Sequence, residues 1–355
     1  MSLILVINPG GGSTKIAVFR DEDCALKQTI AYESERPSFE EILVHREELE
    51  RTIVDGIERD GIAAASLDAI VGRGGALKPL ASGTYRVNPL LVDDILTGNV
   101  QAKHASNLGA LLAFEIGERL DKPAFMVDPV SVDEFIPEAR LSGLPEIERK
   151  SLDHPLNSKM VAREAARELG KDYRDVNMIV AHLGTGISVG AHEKGRMVDV
   201  SNANDGGPFS TQRTGSLPVT QIVDLCYAGR YTHEEMYLKL TTAGGLRAYL
   251  GTDDAERAVR LAEEGDEKAS LVLGAMVYQI SKEIGAYATV LAGRVDAIVF
   301  TGGMAYSEYI ISRIRRRVAF LASRIFVFPG EHEMESLAGG ALRVLRGEEE
   351  PKQYK

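Results

Sequence analysis

Apolar and polar positions along this chain follow two periods, and the two periods predict its elements. "LILVIN" and "KIAVFR" are apolar runs of strand length, followed by the polar turn "DEDC" and by "LKQTIAY", so the opening reads as an antiparallel meander. Ser38 then caps a helix in which Phe39, Ile42, Leu43, Leu49, Ile53 and Ile57 recur at helical spacing through a charged stretch that Gly61 stops. The strand "LDAIVGRGG", a helix over about residues 107 to 120 and the strand "PAFMVD", ending on Asp128, complete the first half.

Near residues 150 to 155 the pattern restarts. A helix in "NSKMVAREAARELG" leads to the strand "VNMIVAH", the loop "LGTG" and the strands "ISVGAHE" and "GRMVDVS". Laying "ILVINPGGG" over "MIVAHLGTG" sets Asn8 on His182, and Gly10 and Gly12 on Gly184 and Gly186, which predicts an internal duplication. The rest is mostly helical. Thr232 and Glu235 form a capping box, Asp253 to Glu264 is a helix, and a long helix covers about 267 to 292. The strand "DAIVFTGG" again ends in glycines, and "ESLAGGALRVLRG" is the last helix.

A chain of 355 residues exceeds one ordinary core and predicts two domains. Its hydrophobic fraction of 44% and charged fraction of 26% are those of a globular protein. A formal net charge of -11 repels nucleic acid and anionic membrane faces, so neither is an expected partner. The run "RIRRR" at 313 to 317 reads as a solvated helix face. Cys24 and Cys226 are far apart and form neither a disulfide framework nor a zinc motif. With no leader pattern and no apolar run of roughly 18 residues, the expected location is the cytoplasm.

The glycine loops carry the candidate chemistry. A P-loop needs Gly-Lys-Ser/Thr running into a helix, but Lys15 follows Thr14 and enters a strand. The dinucleotide fingerprint fails too, because "GTGISVG" places its last glycine one residue late and inside a strand. What remains is a tight hairpin whose backbone N–H groups can cradle an anion, with glycine expected for positive φ and close approach. Two such hairpins, one per half, would grip successive phosphates of one nucleotide across a cleft, with Gly302 and Gly303 lying against the nucleoside.

In order along nearly the whole chain, "INPGGGSTK", "VGRGG", "KHASN", "VDPV", "DHPLNSK", "AHLGTGISV", "FSTQRTGSLP" and "FTGGMAYSE" resemble the butyrate kinases, close relatives of the acetate kinases. These belong to the acetokinase family, within the superfamily of sugar kinases, heat-shock chaperones and actin. The resemblance implies an α/β chain of two domains with the duplicated ribonuclease-H-like (actin-like ATPase) fold and a nucleotide cleft between them. The first domain would span 1–150, with the helix of about 334–355 packing back on it, and the nucleotide-binding domain 151–333. The implied reaction is reversible phosphoryl transfer between ATP and a short fatty acid, with Mg2+, giving ADP and an acyl phosphate. A homodimer or larger homo-oligomer is implied as well.

A carboxylate substrate is ionised at neutral pH, titrating near about pH 4, so the reaction needs cations and fixed donors rather than a base. The resemblance matches Arg73 and Arg213 to the two active-site arginines, Arg73 also binding substrate, and His182 to a donor toward the migrating phosphoryl group. His154 matches a histidine nearer the substrate. His104 is a weaker match, since helix capping by Ser106 or Asn107 explains its local sequence. Asp128 matches an aspartate that orients substrate groups or Mg2+, and Glu335 a Mg2+ ligand, with Glu331 and Glu333 as alternatives. Asn8 stands where other superfamily members carry a catalytic aspartate. Gly10, Gly11, Gly12, Ser13, Lys15, His182, Gly184, Thr185, Gly186, Gly302 and Gly303 would contact the nucleotide. Thr185, where acetate kinases have asparagine, and "PGGGSTK", in place of their serine-rich loop, point toward butyrate. The alternatives are an acetate, propionate or branched-chain acid kinase, and more distantly a chaperone or filament ATPase.

Overall fold

The computed structural model describes residues 1–32, 34 and 37–355. Its strands are, in chain order, β1 (Leu3–Pro9), β2 (Ser13–Arg20), β3 (Asp23–Ala31), β4 (Ala69–Arg73), β5 (Thr84–Arg86), β6 (Ala124–Val127), β7 (Asn177–Leu183), β8 (Ile187–Glu193), β9 (Arg196–Val200), β10 (Ala297–Gly302), β11 (Arg324–Pro329) and β12 (Lys352–Gln353). The chain divides into one unit of Met1–Asp133 with His332–Lys355, and a second of Glu134–Glu331. Residues 134–150, assigned from the sequence to the first domain, belong with the second. The Ile136 N–H donates to Val198 C=O, and Arg149 pairs with Asp199 at 2.9 Å.

In the first unit the sheet runs β12-β5-β6-β4-β1-β2-β3. β1 pairs antiparallel with β2, Asn8 opposite Lys15, and parallel with β4. Strand period two sends Leu5 and Ile7 to one face, where they pack with Ile53, Ile57 and Leu111, and leaves Ile4, Val6 and Asn8 on the other. The last helix, Glu333–Leu345, lies against β1, β4 and β6. Burial of such side chains stabilises by about 1.5 to 3 kcal/mol each, which is why a central strand reads as a continuous apolar run.

The second unit repeats this plan. Its sheet runs β11-β10-β7-β8-β9, so the order of meander strands, first strand and parallel neighbours matches β6-β4-β1-β2-β3. Asn8 and His182 each occupy the sixth position of a seven-residue strand. Ile179 and Ala181 pack with Leu273, Met276 and Ile280 of the long helix Glu267–Val290. Met178 and Val180 pack on Val161, Ala162 and Ala165 of the helix Pro155–Glu168. By the same alternation His182 faces the helix Pro155–Glu168.

Most helices follow the sequence pattern. The capping boxes of Ser38 with Glu41 and Thr232 with Glu235 are both formed. The helix expected through Ile57 is two helices, Phe39–Val44 and Arg46–Arg59, broken where His45 leaves helical geometry at φ -93°, ψ 10°. The basic run lies on the helix Glu308–Val318, with Arg313 stacked over Tyr309 and Arg317 over Tyr278. No described helix is long and apolar enough to cross a membrane.

Candidate active site

The alternation that turns Asn8 away from the core directs it at the first turn of the last helix. Asn8 Nδ2 donates to Glu333 Oε2 at 2.8 Å, and Asn8 Oδ1 accepts from Arg73 Nη1 at 3.2 Å. Arg73, at the end of β4, grips the same carboxylate with both arms: Nη1 to Oε2 at 3.1 Å and Nη2 to Oε1 at 2.8 Å. The helix N-terminus adds its positive end to the carboxylate. The acid that joins this cluster is therefore Glu333. Glu335 is exposed, two positions along and so about 200° around the helix.

Other predicted residues of this unit make local contacts of their own. Asp128, at φ 36°, accepts from Ser82 Oγ at 2.6 Å and from the Gly83 N–H at 2.8 Å, holding that turn. His104 is itself the cap its local sequence had suggested for Ser106 or Asn107: its Nδ1 accepts from the Ser106 N–H at 3.2 Å. Burial, and then the charge of Arg73, push the His104 imidazole below its usual range. Lys15 is exposed. In the first loop the Gly10 N–H donates to Ser13 C=O at 2.8 Å, and Gly10, Gly11 and Gly12 all keep φ outside the left-handed region. The expectation of positive φ fails there, and around Gly11 the space is open.

In the second unit His182 is buried and meets the first turn of its covering helix. Its Nδ1 lies 3.0 Å from Asn157 Oδ1, and its ring stacks on that of His154 with centroids 3.9 Å apart and planes 13° from parallel. Burial, and then the neighbouring His154, hold His182 well below the usual imidazole range. Ser188, opposite His182 in β8, donates to Asp153, so its Oγ accepts from His154 Nδ1 at 3.2 Å. Burial alone would raise the Asp153 carboxyl. His154, Ser188 and Ser158 override it and hold the group far below the carboxylate range.

The loop after β7 is closed by the Gly184 N–H to Gly186 C=O at 3.2 Å, again without positive φ. Its glycines make room for the chain's own side chains. A Cβ on Gly184 would lie 2.8 Å from His182 Nε2, and one on Gly186 would lie 2.2 Å from Arg213 Nη1. Arg213 donates to Ala203 C=O at 3.0 Å, and its segment is tied to the loop by Ser210, which donates to Thr185 C=O at 2.5 Å. Burial, opposed by Asp205 and Tyr237, lowers the Arg213 guanidinium. Gly302 does need its glycine: φ is 87°, and a Cβ would meet Leu183 C=O at 2.6 Å. Gly303 is exposed, with open space around it.

This pairing of arginine and histidine with glycine hairpins can be set beside known proteins. The profile of the acetokinase family matches residues 148–325, half of the chain. The chain belongs to the acetokinase family. It is therefore a carboxylate kinase by family, a phosphotransferase of ATP. The fold agrees over nearly the whole length. Porphyromonas gingivalis acetate kinase superposes with a TM-score of 0.80 at 19% identity, over 98% of this chain and 100% of that one. Propionate kinase from Francisella tularensis subsp. tularensis SCHU S4 gives 0.74 at 20% identity, over 96% and 99%. Entamoeba histolytica acetate kinase gives 0.76 at 16% identity, over 96% and 98%. The fold is thus that of the acetate kinases, and its two sheets share one strand plan, the duplication expected from the repeat.

Sequence reasoning passed over Asn157, Asp153 and Ser188, and left Glu333 as one of three acids. Two signals could have found them: Ser188 lies across from His182 in the strand register, and Asp153 and Asn157 flank His154 in "DHPLNSK".

Proposed function

We propose that this acetokinase is a butyrate kinase, transferring a phosphoryl group reversibly between ATP and butyrate. One carboxylate oxygen attacks the γ-phosphorus, the bond to the bridging oxygen breaks, and ADP leaves with that oxygen and its electron pair. The observation that carries the reading is the second loop, where Arg213 lies beside Gly186 and His182 Nε2 beside Gly184. The guanidinium is a group suited to charge on a migrating phosphoryl group, and the imidazole lines the same loop. In the first unit Arg73 would bind the substrate carboxylate after exchanging Glu333 for it. Thr185 and the loop "PGGGSTK" support butyrate over acetate.

Magnesium takes hard oxygens and keeps several waters. Among the described residues no three His, Cys, Asp or Glu side chains form a metal cluster, so the ion would rely on phosphate and water with one carboxylate. Glu333 and Asn8 Oδ1 are the oxygens that would hold it. When bound, the ion would neutralise phosphate charge.

Two exposed free thiols, Cys24 and Cys226, suit a reducing cytoplasm. Trapping the acyl phosphate with hydroxylamine, from ATP, Mg2+ and a panel of acetate, propionate, butyrate and isobutyrate, tests the function. Butyrate should give the highest kcat/KM. A preference for acetate, propionate or isobutyrate moves the assignment to that acid, and no product from any acid overturns the reading.

A further inference from the structure

We propose that Asn157 is a positioning residue that fixes the tautomer of His182, so that Nε2 meets the Gly184–Gly186 loop as a lone pair. The amide's orientation is set from its far side. Asn157 Nδ2 donates to Glu331 C=O at 2.5 Å and lies 3.4 Å from Gly330 C=O. Carbonyl oxygens only accept, so the amide nitrogen must face them and Oδ1 must face His182. An amide oxygen also only accepts, so at 3.0 Å the hydrogen belongs to His182 Nδ1. The Gly330 end of this network is itself pinned, since Gly330 and Gly302 exchange N–H to C=O bonds at 3.0 and 3.1 Å and Thr301 Oγ1 donates to Gly330 C=O at 3.1 Å.

A neutral imidazole has one N–H, and burial keeps His182 neutral, so Nε2 is bare. Resting on the reading of this loop as the phosphoryl-transfer site, the consequence is specific. Nε2 can accept from a hydroxyl or water at the site, and while the ring is neutral it donates nothing to a phosphoryl oxygen. Asn157 holds this state, whereas an unheld histidine favours hydrogen on Nε2.

The test is two-bond 1H–15N correlation of the histidine rings in the full chain at neutral pH, with the His182→Asn spectrum assigning the signal. Wild type should show hydrogen on Nδ1 and a bare Nε2; the opposite tautomer overturns the proposal. Asn157→Ala should shift the ring toward the Nε2–H form and lower kcat about 10- to 100-fold, with KM for ATP changed much less. Asn157→Asp keeps an acceptor for Nδ1 and should retain Nδ1–H, while its negative charge favours a second proton on Nε2. A wild-type tautomer in the Ala variant, or loss of Nδ1–H in the Asp variant, also overturns it. Should the Ala variant not fold, the wild-type and Asp spectra still decide. Absence of acyl phosphate from wild type would sink the proposed function and leave this result standing.

Discussion

Arg73 and Arg213, alike in the sequence as arginines in glycine-bearing loops, are held in different ways. Arg73 is held by Glu333 through both arms, while Arg213 donates to a backbone carbonyl and lies against Gly186. Replacing Glu333 with Gln should loosen the first and, without Mg2+, tighten butyrate binding a few-fold by calorimetry, with turnover in Mg2+ reduced. The same titration with Arg73→Ala should show no such gain. Two glycine substitutions should separate site from scaffold. In Gly186→Ala the crowded atom is the end of a flexible side chain, so stability should fall by about 1 kcal/mol or less while kcat drops at least about tenfold. In Gly302→Ala the crowded atoms are the Leu183 backbone and φ is 87°, so denaturant unfolding should show a loss of about 2 to 4 kcal/mol.

Between elements, the helices Arg46–Arg59 and Leu108–Leu120 meet through a pair of acids. Burial, and then the hydrogen bond and charge of Glu115, push the Glu50 carboxyl up to about 8, against Arg119 and Arg46. The folded chain thus holds a proton that the unfolded chain releases above about 4.5. Stability from this pair is complete at low pH and is lost as pH rises from about 4.5 to about 8. Melting temperature should fall across that window, and Glu50→Gln should flatten the slope. Neither helix's own pattern reveals the pair, because each glutamate reads locally as a solvated position. Only packing brings the two together.

For the molecule as a whole, the helix Val219–Tyr227 has no buried residue, and Val219, Val223 and Tyr227 are 77%, 51% and 87% exposed at i, i+4 and i+8. In the homo-oligomer that the resemblance implies, a second copy would cover that stripe. Light scattering after size exclusion should give a dimer or larger for wild type and a monomer for Val223→Glu; a wild-type monomer would refute it.

What the sequence alone determined is what period and local chemistry encode: the meander strands, the capping boxes, the repeated strand–glycine–strand unit, and the matching places of Asn8 and His182. These are short-range properties, because strand alternation and helix caps depend on neighbours a few residues away. Tertiary structure decided the partners. Asn8 meets an acid 325 positions along the chain, and His182 meets an amide 25 positions back. It also decided what the loop glycines are for, since Gly184 and Gly186 yield space to His182 and Arg213 rather than adopting positive φ. The physical reason is common to both. A helix docked across a strand end chooses which side chain arrives there, and no local period records that docking.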